Sequence, residues 1–242
     1  YNVPPLPQAT ADRLSKYTNT RGASVAGWQG DQLLIYTRFA NATQLHRVAG
    51  PLAYREQLTF LKEPLGGVYL PRGGATDTLM LSWDEGGSEF DQLFLYDLKS
   101  GAAKRVSDGR SLYTGVVWAP DRQSFVYVST KRDGRNWDIY HQDLEGNDEP
   151  LMQPESGYWS VRDWSADGKR LLVKDRLSVN ESRFFELDIA TKKLTPILGQ
   201  EGGVSIEQAL YDGRGSVYFT SDEGSEFLRL KHLDLTTGNI EV

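Results

Sequence analysis

What most limits how this chain can fold is a repeat of about 46 residues. Short apolar runs ending in Asp followed by Leu or Ile recur as LFLYDL (93–98), DIYHQDL (138–144), FFELDI (184–189) and LKHLDL (230–235). Their aspartates, Asp97, Asp143, Asp188 and Asp234, are spaced by 46, 45 and 46 residues. A second anchor opens WAPDRQSFVYVS (118–129), WSADGKRLLVKD (164–175) and YDGRGSVYFTS (211–221), so that Trp118, Trp164 and Tyr211 are spaced by 46 and 47. Trp28, in WQGDQLLIYTR, and Tyr69, in YLPRGGATDTLMLSW, open poorer copies of the same unit. Five units result. Self-similarity at a fixed period of this length means one supersecondary element stacked on copies of itself.

Within a unit the pattern is that of strands. Val126 and Val128 alternate with Phe125 and Tyr127 in a β-branched and aromatic run bounded by turn residues. Asp121-Arg122, Asp167-Gly168 and Gly213-Arg214-Gly215 suit tight hairpins that need φ > 0. A longer polar loop follows, then the strand ending in Asp-Leu, a short turn and a last strand. Four antiparallel strands in about 46 residues predict an all-β chain of β-propeller blades. The blades are expected at approximately 24–60, 61–110, 111–155, 156–202 and 203–242, as a fragment of a seven- or eight-bladed propeller. Residues 1–23, with Pro4, Pro5 and Pro7, are expected as an extended lead-in, residues 11–17 being the best helical candidate. The phrases DEGGSEFDQLFLYDLKSG (84–101) and DEGSEFLRLKHLDLTTG (222–238) begin 138 residues apart, three units, and so are the same element of blades two and five. Phe90 and Phe227 are expected to fold inward there, with Glu89 and Glu226 near solvent.

Composition removes several classes. The net charge of −6 comes without like-charged blocks, against nucleic acid or an anionic membrane as partner. No apolar run approaches the roughly 20 residues of a membrane span. Without cysteine there is no disulfide, no Cys-ligated zinc and no thiol nucleophile. The chain opens on Tyr1 rather than Met, so an upstream segment is expected. Cytoplasmic, periplasmic and secreted locations all stay open. No cofactor or metal is expected, since no loop has EF-hand spacing.

The phrases FDQLFLYDLKSGAAKRVSDG, WDEGGSEF and WSVRDWSADGKRLLVKD resemble the N-terminal propeller of prolyl oligopeptidase-family serine peptidases, including the dipeptidyl and acylaminoacyl peptidase branches. The blade signature also resembles the WD-like repeats of TolB-type propellers. The resemblance covers roughly residues 24–242. It implies a catalytic α/β-hydrolase domain elsewhere in the same polypeptide, because that family carries its nucleophile in a G-x-S-x-G elbow and this chain has none. His46, His141 and His232, the three histidines, fall in repeat slots and read as structural.

Trp28, Trp118 and Trp164 share the anchor position and read as blade packing, whereas Trp83, Trp137 and Trp159 lie off it. The loops between second and third strands gather at one end of a propeller and are the candidate contact surface for peptide substrate or hydrolase domain. Their candidates are Asp84, Glu85 and Glu89; Arg132, Arg135 and Trp137; Arg176, Asn180 and Glu181; and Glu223 and Glu226. The resemblance implies that propeller carboxylates hold a substrate ammonium in the dipeptidyl branch, though no pair here matches that motif. The leading expectation is a non-catalytic propeller capping a hydrolase domain. Its rival is a stand-alone TolB-like platform for protein–protein interaction, and a propeller enzyme ranks last.

Overall fold

The computed structural model describes residues 4–242, in two compact units that divide between Leu65 and Gly66. Residues 1–3 of the expected lead-in lie outside the described residues. Within that segment Gln8–Thr18 forms a helix, α1, which takes in the helical candidate, corrects the expectation of an extended lead-in there, and buries none of its residues. The first unit continues as a four-stranded antiparallel sheet, β1 (Ala23–Gln29), β2 (Gln32–Thr37), β3 (Gln44–Val48) and β4 (Glu56–Gln57).

Four more such sheets follow. Blade two is β5 (Leu65–Tyr69), β6 (Thr78–Trp83), β7 (Gln92–Asp97) and β8 (Ala103–Arg105); blade three is β9 (Tyr113–Trp118), β10 (Ser124–Ser129), β11 (Asp138–Asp143) and β12 (Asp148–Met152). Blade four is β13 (Trp159–Trp164), β14 (Arg170–Arg176), β15 (Ser182–Asp188) and β16 (Leu194–Leu198). Blade five is β17 (Ile206–Tyr211), β18 (Ser216–Ser221), β19 (Arg229–Asp234) and β20 (Ile240–Glu241). The fold is that of a β-propeller, five blades of four antiparallel strands. No helix of the described residues is long and apolar enough to cross a membrane.

The repeat aspartates hold the same register: Asp97, Asp143, Asp188 and Asp234 pair with Thr78, Ser124, Arg170 and Ser216, the first residues of the second strands. Each carboxylate then accepts backbone N–H bonds from the following turn. Asp97 takes those of Lys99 and Ser100, Asp143 those of Gly146 and Asn147, Asp188 that of Thr191, and Asp234 those of Thr236 and Thr237. The aspartate recurs because a short acceptor at that place satisfies donors the turn leaves unpaired.

The core of the second unit is a set of layers between consecutive blades. Met80 of blade two meets Trp118, Phe125 and Tyr127 of blade three; Val126 and Val128 meet Trp164, Leu171 and Val173 of blade four; Leu172 meets Ile206, Val217 and Phe219 of blade five. Strand alternation supplies one face of each second strand to the preceding layer and the other to the next. The anchors reach backward. Trp118 Nε1 donates to the Tyr69 carbonyl at 3.0 Å, Trp164 packs edge-on to His141, and the Tyr211 hydroxyl donates to Glu186 at 2.8 Å. This arrangement corrects one reading. Trp28 occupies the same register as the other anchors, pairing with Leu33 as Trp118 pairs with Phe125, yet it is 65% exposed. No blade precedes the first among the described residues, so its indole has nothing to reach back to. Trp83 is buried and stacks on Phe94 of its own hairpin.

Candidate functional site

The first strands of the later blades form a continuous inner rim: β13 packs beside β9 on one side and β17 on the other. Three of these strands are interrupted by bulges. The register shifts between Thr114 and Val117, between Val161 and Asp163, and between Ile206 and Ala209. A bulge leaves an extra residue free of the ladder and re-aims its side chain. In blade four that residue is Arg162.

Beside Arg162 is a cavity of about 210 Å³. Trp137, Tyr158 and Trp159 wall it, the first two rings lying 4.8 Å apart at 58°. Arg162, Lys174, Arg176 and Glu207 supply its charge. Lys174 is buried and lies 3.3 Å from the Glu207 carboxylate. The Arg162 Nε is buried with no hydrogen-bond partner among the described residues. Burial lowers the Lys174 ammonium from its usual range; Glu207 opposes that shift, and Arg162 and Arg176 add to it. Burial likewise lowers the Arg162 guanidinium, against Glu207 and with Arg176. Burial alone would raise the Glu207 carboxyl, but the Ser205 hydroxyl and Lys174 bring it below its usual value. Three cations thus share one carboxylate, so the cavity has positive charge to spare.

The loop residues singled out from sequence fare unequally. Trp137 and Arg176 line the cavity. Arg132 is pinned instead: it makes a two-pronged bond to the buried Asp138 and donates to the Pro154 carbonyl. Glu85 pairs with Arg105 at 2.9 Å, and Glu223 with the buried Lys231 at 2.9 Å. Asp84 closes its own loop by accepting from Ser88 and Glu89 backbone N–H groups. Asn180 donates its N–H to Ser178, while Glu181 uses its backbone carbonyl to close the same loop. Glu89, Arg135 and Glu226 are exposed. The twin phrases also part company. Where Asp84 caps its own loop, Asp222 accepts from the Ser205 N–H at the start of the blade. Phe90 and Phe227 are 42% and 72% exposed, which overturns their inward placement. In blade two the backbone of Ser88 and Glu89 is held by Asp84, and Glu89 takes φ 63°, so the loop turns the ring that follows toward solvent.

Tyr158, Arg162, Lys174 and Glu207 were not singled out from sequence. One signal was available: Lys174 stands in the strand slot that Ser82, Val128 and Thr220 fill in blades two, three and five. A second cavity, of about 230 Å³, opens at the opposite ends of blades four and five. Its polar groups are already paired, Ser165 with Asp167, and Tyr211 and Arg170 with Glu186. Among the described residues no group of three or more His, Asp or Glu side chains is placed to hold a metal ion.

No protein-family model matches the sequence, and no curated protein matches it. Solved structures do share the fold. One is a prolyl endopeptidase described for inter-domain dynamics in catalysis and specificity, with TM-score 0.76 and 17% identity over 96% of this chain and 37% of that one. Another is prolyl oligopeptidase B from Galerina marginata, with TM-score 0.72 and 12% identity over 97% of this chain and 38% of that one. A TolB-type protein from Agrobacterium tumefaciens gives TM-score 0.68 and 19% identity over 91% of this chain and 80% of that one. The chain spans little more than a third of the length of these two peptidases. By fold, then, this chain is a β-propeller similar to those of prolyl oligopeptidases and of TolB proteins.

Proposed function

We propose that this chain is the non-catalytic propeller region of a serine peptidase of the prolyl oligopeptidase type. In this reading it caps a separate α/β-hydrolase domain, limits entry to short or unfolded peptides, and contacts them at the inner rim. The observation that carries it is the cavity at the rim of blades three to five. It is concave, walled by aromatic rings and set with uncompensated cations, so it suits one end of a flexible chain better than a flat protein surface. Pockets for drug-sized ligands start at about 300 Å³. The fold likeness to prolyl oligopeptidases over nearly the whole chain supports the same reading.

The test uses the natural polypeptide that contains this sequence. A fluorophosphonate probe is expected to label it on a serine outside these 242 residues, and this chain alone is expected to stay unlabelled and inactive on chromogenic peptides. Label on a serine of this chain, or a natural polypeptide that never labels, overturns the proposal. The second result would favour the stand-alone platform.

A further inference from the structure

We propose that the cavity at the rim of blades three to five is a carboxylate-binding subsite for peptides, holding a carboxylate between Arg162 and Arg176 and an adjacent apolar side chain against Trp137, Tyr158 and Trp159. The inference deepens the peptidase reading above, since it names the part of a peptide that this surface takes.

The charge pattern argues for an anion. Lys174 has its partner in Glu207, and with Arg162 and Arg176 present two positive charges remain. Arg176 spends its Nε on the Ser178 carbonyl, at a long 3.3 Å. Arg162 lines the cavity and carries a buried Nε with no acceptor among the described residues. A buried charged group short of acceptors is costly, so the Arg162 guanidinium lacks the compensation that Lys174 has in Glu207, and an anion in the cavity it lines would supply it. A guanidinium matches a carboxylate in two parallel hydrogen bonds, which a neutral amide oxygen does not reproduce.

The walls argue for a peptide rather than an inorganic ion. Three rings line a space of about 210 Å³, far more than a small anion fills. Tyr and Trp offer large, rigid apolar area at small entropic cost. Gly115, with φ 64°, also lines the space. A single residue with its free carboxylate fits these limits, whether the carboxylate is the chain terminus or an acidic side chain.

The experiment is calorimetric titration of this chain with three short peptides of equal length. The first ends in Phe with a free carboxylate, the second in Phe amide, and the third in Phe amide with Glu before it. Binding of the free acid at least roughly tenfold tighter than the amide is expected, the loss being that of a buried charge-assisted pair. Arg162→Gln is expected to remove that preference while the unfolding midpoint holds or rises. Arg176→Gln serves as the second variant should Arg162→Gln fail to fold. Tight binding of the third peptide assigns the site to acidic side chains, and weak binding assigns it to chain termini. Equal affinity for acid and amide, or an acid preference that survives both substitutions, overturns the subsite. Failure here with a fluorophosphonate-labelled natural polypeptide removes only the subsite, whereas an unlabelled polypeptide with intact acid preference removes only the peptidase reading.

Discussion

At the scale of single residues, acceptor geometry decides more than charge pairing. The aspartates that end the third strands bond to turn N–H groups, and hydrogen bonding holds Asp97, Asp143, Asp188 and Asp234 below the usual carboxylate range. Asp133 goes furthest, to about 2, held first by the N–H groups of Asn136 and Arg135. A carboxyl whose folded pKa lies below its unfolded value stabilises fully above the unfolded value, and that stabilisation is lost as pH falls toward the folded one. Stability is therefore expected to hold down to about pH 4 and to decline from there toward pH 2. Denaturant midpoints measured between pH 5 and pH 2 check this, and Asp133→Asn should flatten the curve; an unchanged slope in that variant removes the explanation. Exposure also separates rings that look alike in sequence. Phe90→Ala and Phe227→Ala are expected to change stability by no more than about 0.5 kcal/mol, as for ordinary surface sites. Phe219→Ala, in the layer between blades four and five, is expected to cost about 3–5 kcal/mol. Urea unfolding of the three variants decides whether these loops are truly outside the core.

At the scale of elements, the turn after each third strand shows where repetition is imperfect. Gly101 and Gly238 close it at φ 71° and 76°, and Lys192 stands in the same place at φ 57°. A left-handed conformation costs a residue with Cβ about 1–2 kcal/mol, and glycine offsets part of that gain through its freer unfolded chain. Lys192→Gly is therefore expected to be about 0.5–1 kcal/mol more stable than Lys192→Ala, a pair in which the lysine contacts to Pro150 and Glu149 are lost equally. Equal stabilities would mean the turn relaxes. Asp163 ties three blades together. Its buried carboxylate accepts from the backbone of Trp164 and of Tyr211 in the next blade, and pairs with Arg72 of blade two. Asp163→Ala leaves these donors unpaired and is expected to cost about 2–3 kcal/mol, measured by the same unfolding curves.

At the scale of the whole molecule, packing within the second unit runs from blade two to blade five, and one face of blade five is exposed in this structure. Met80, Val126 and Leu172 hold the equivalent register position in blades two to four and are 0% exposed. Tyr218 holds that slot in blade five and is 48% exposed, with Leu210 paired to it and Leu230 nearby on the same face. Contiguous apolar surface of this kind drives association. The isolated chain is expected to self-associate as its concentration rises, and the double change Tyr218→Ser with Leu230→Ser to suppress it. Sedimentation velocity across a concentration series is the check, and association unaffected by both changes would place the contact elsewhere.

The repeat, the four-strand unit, the equivalence of the anchors and the aspartate turns were all legible in sequence. Each depends on local physics, on strand alternation and on turns closed by residues a few positions apart. The cavity was not legible, because Trp137, Arg162, Lys174 and Glu207 come from three blades and up to 70 residues of chain. Only the packing of one first strand beside the next brings them to one rim, and only a bulge turns Arg162 into it. Burial was likewise undecided. Trp28 and Trp118 share a slot, as do Tyr218 and Leu172, and a sequence pattern describes the slot without the neighbour that covers it. Apolar burial depends on the surface removed from water by another element, and that surface exists only once the blades have packed.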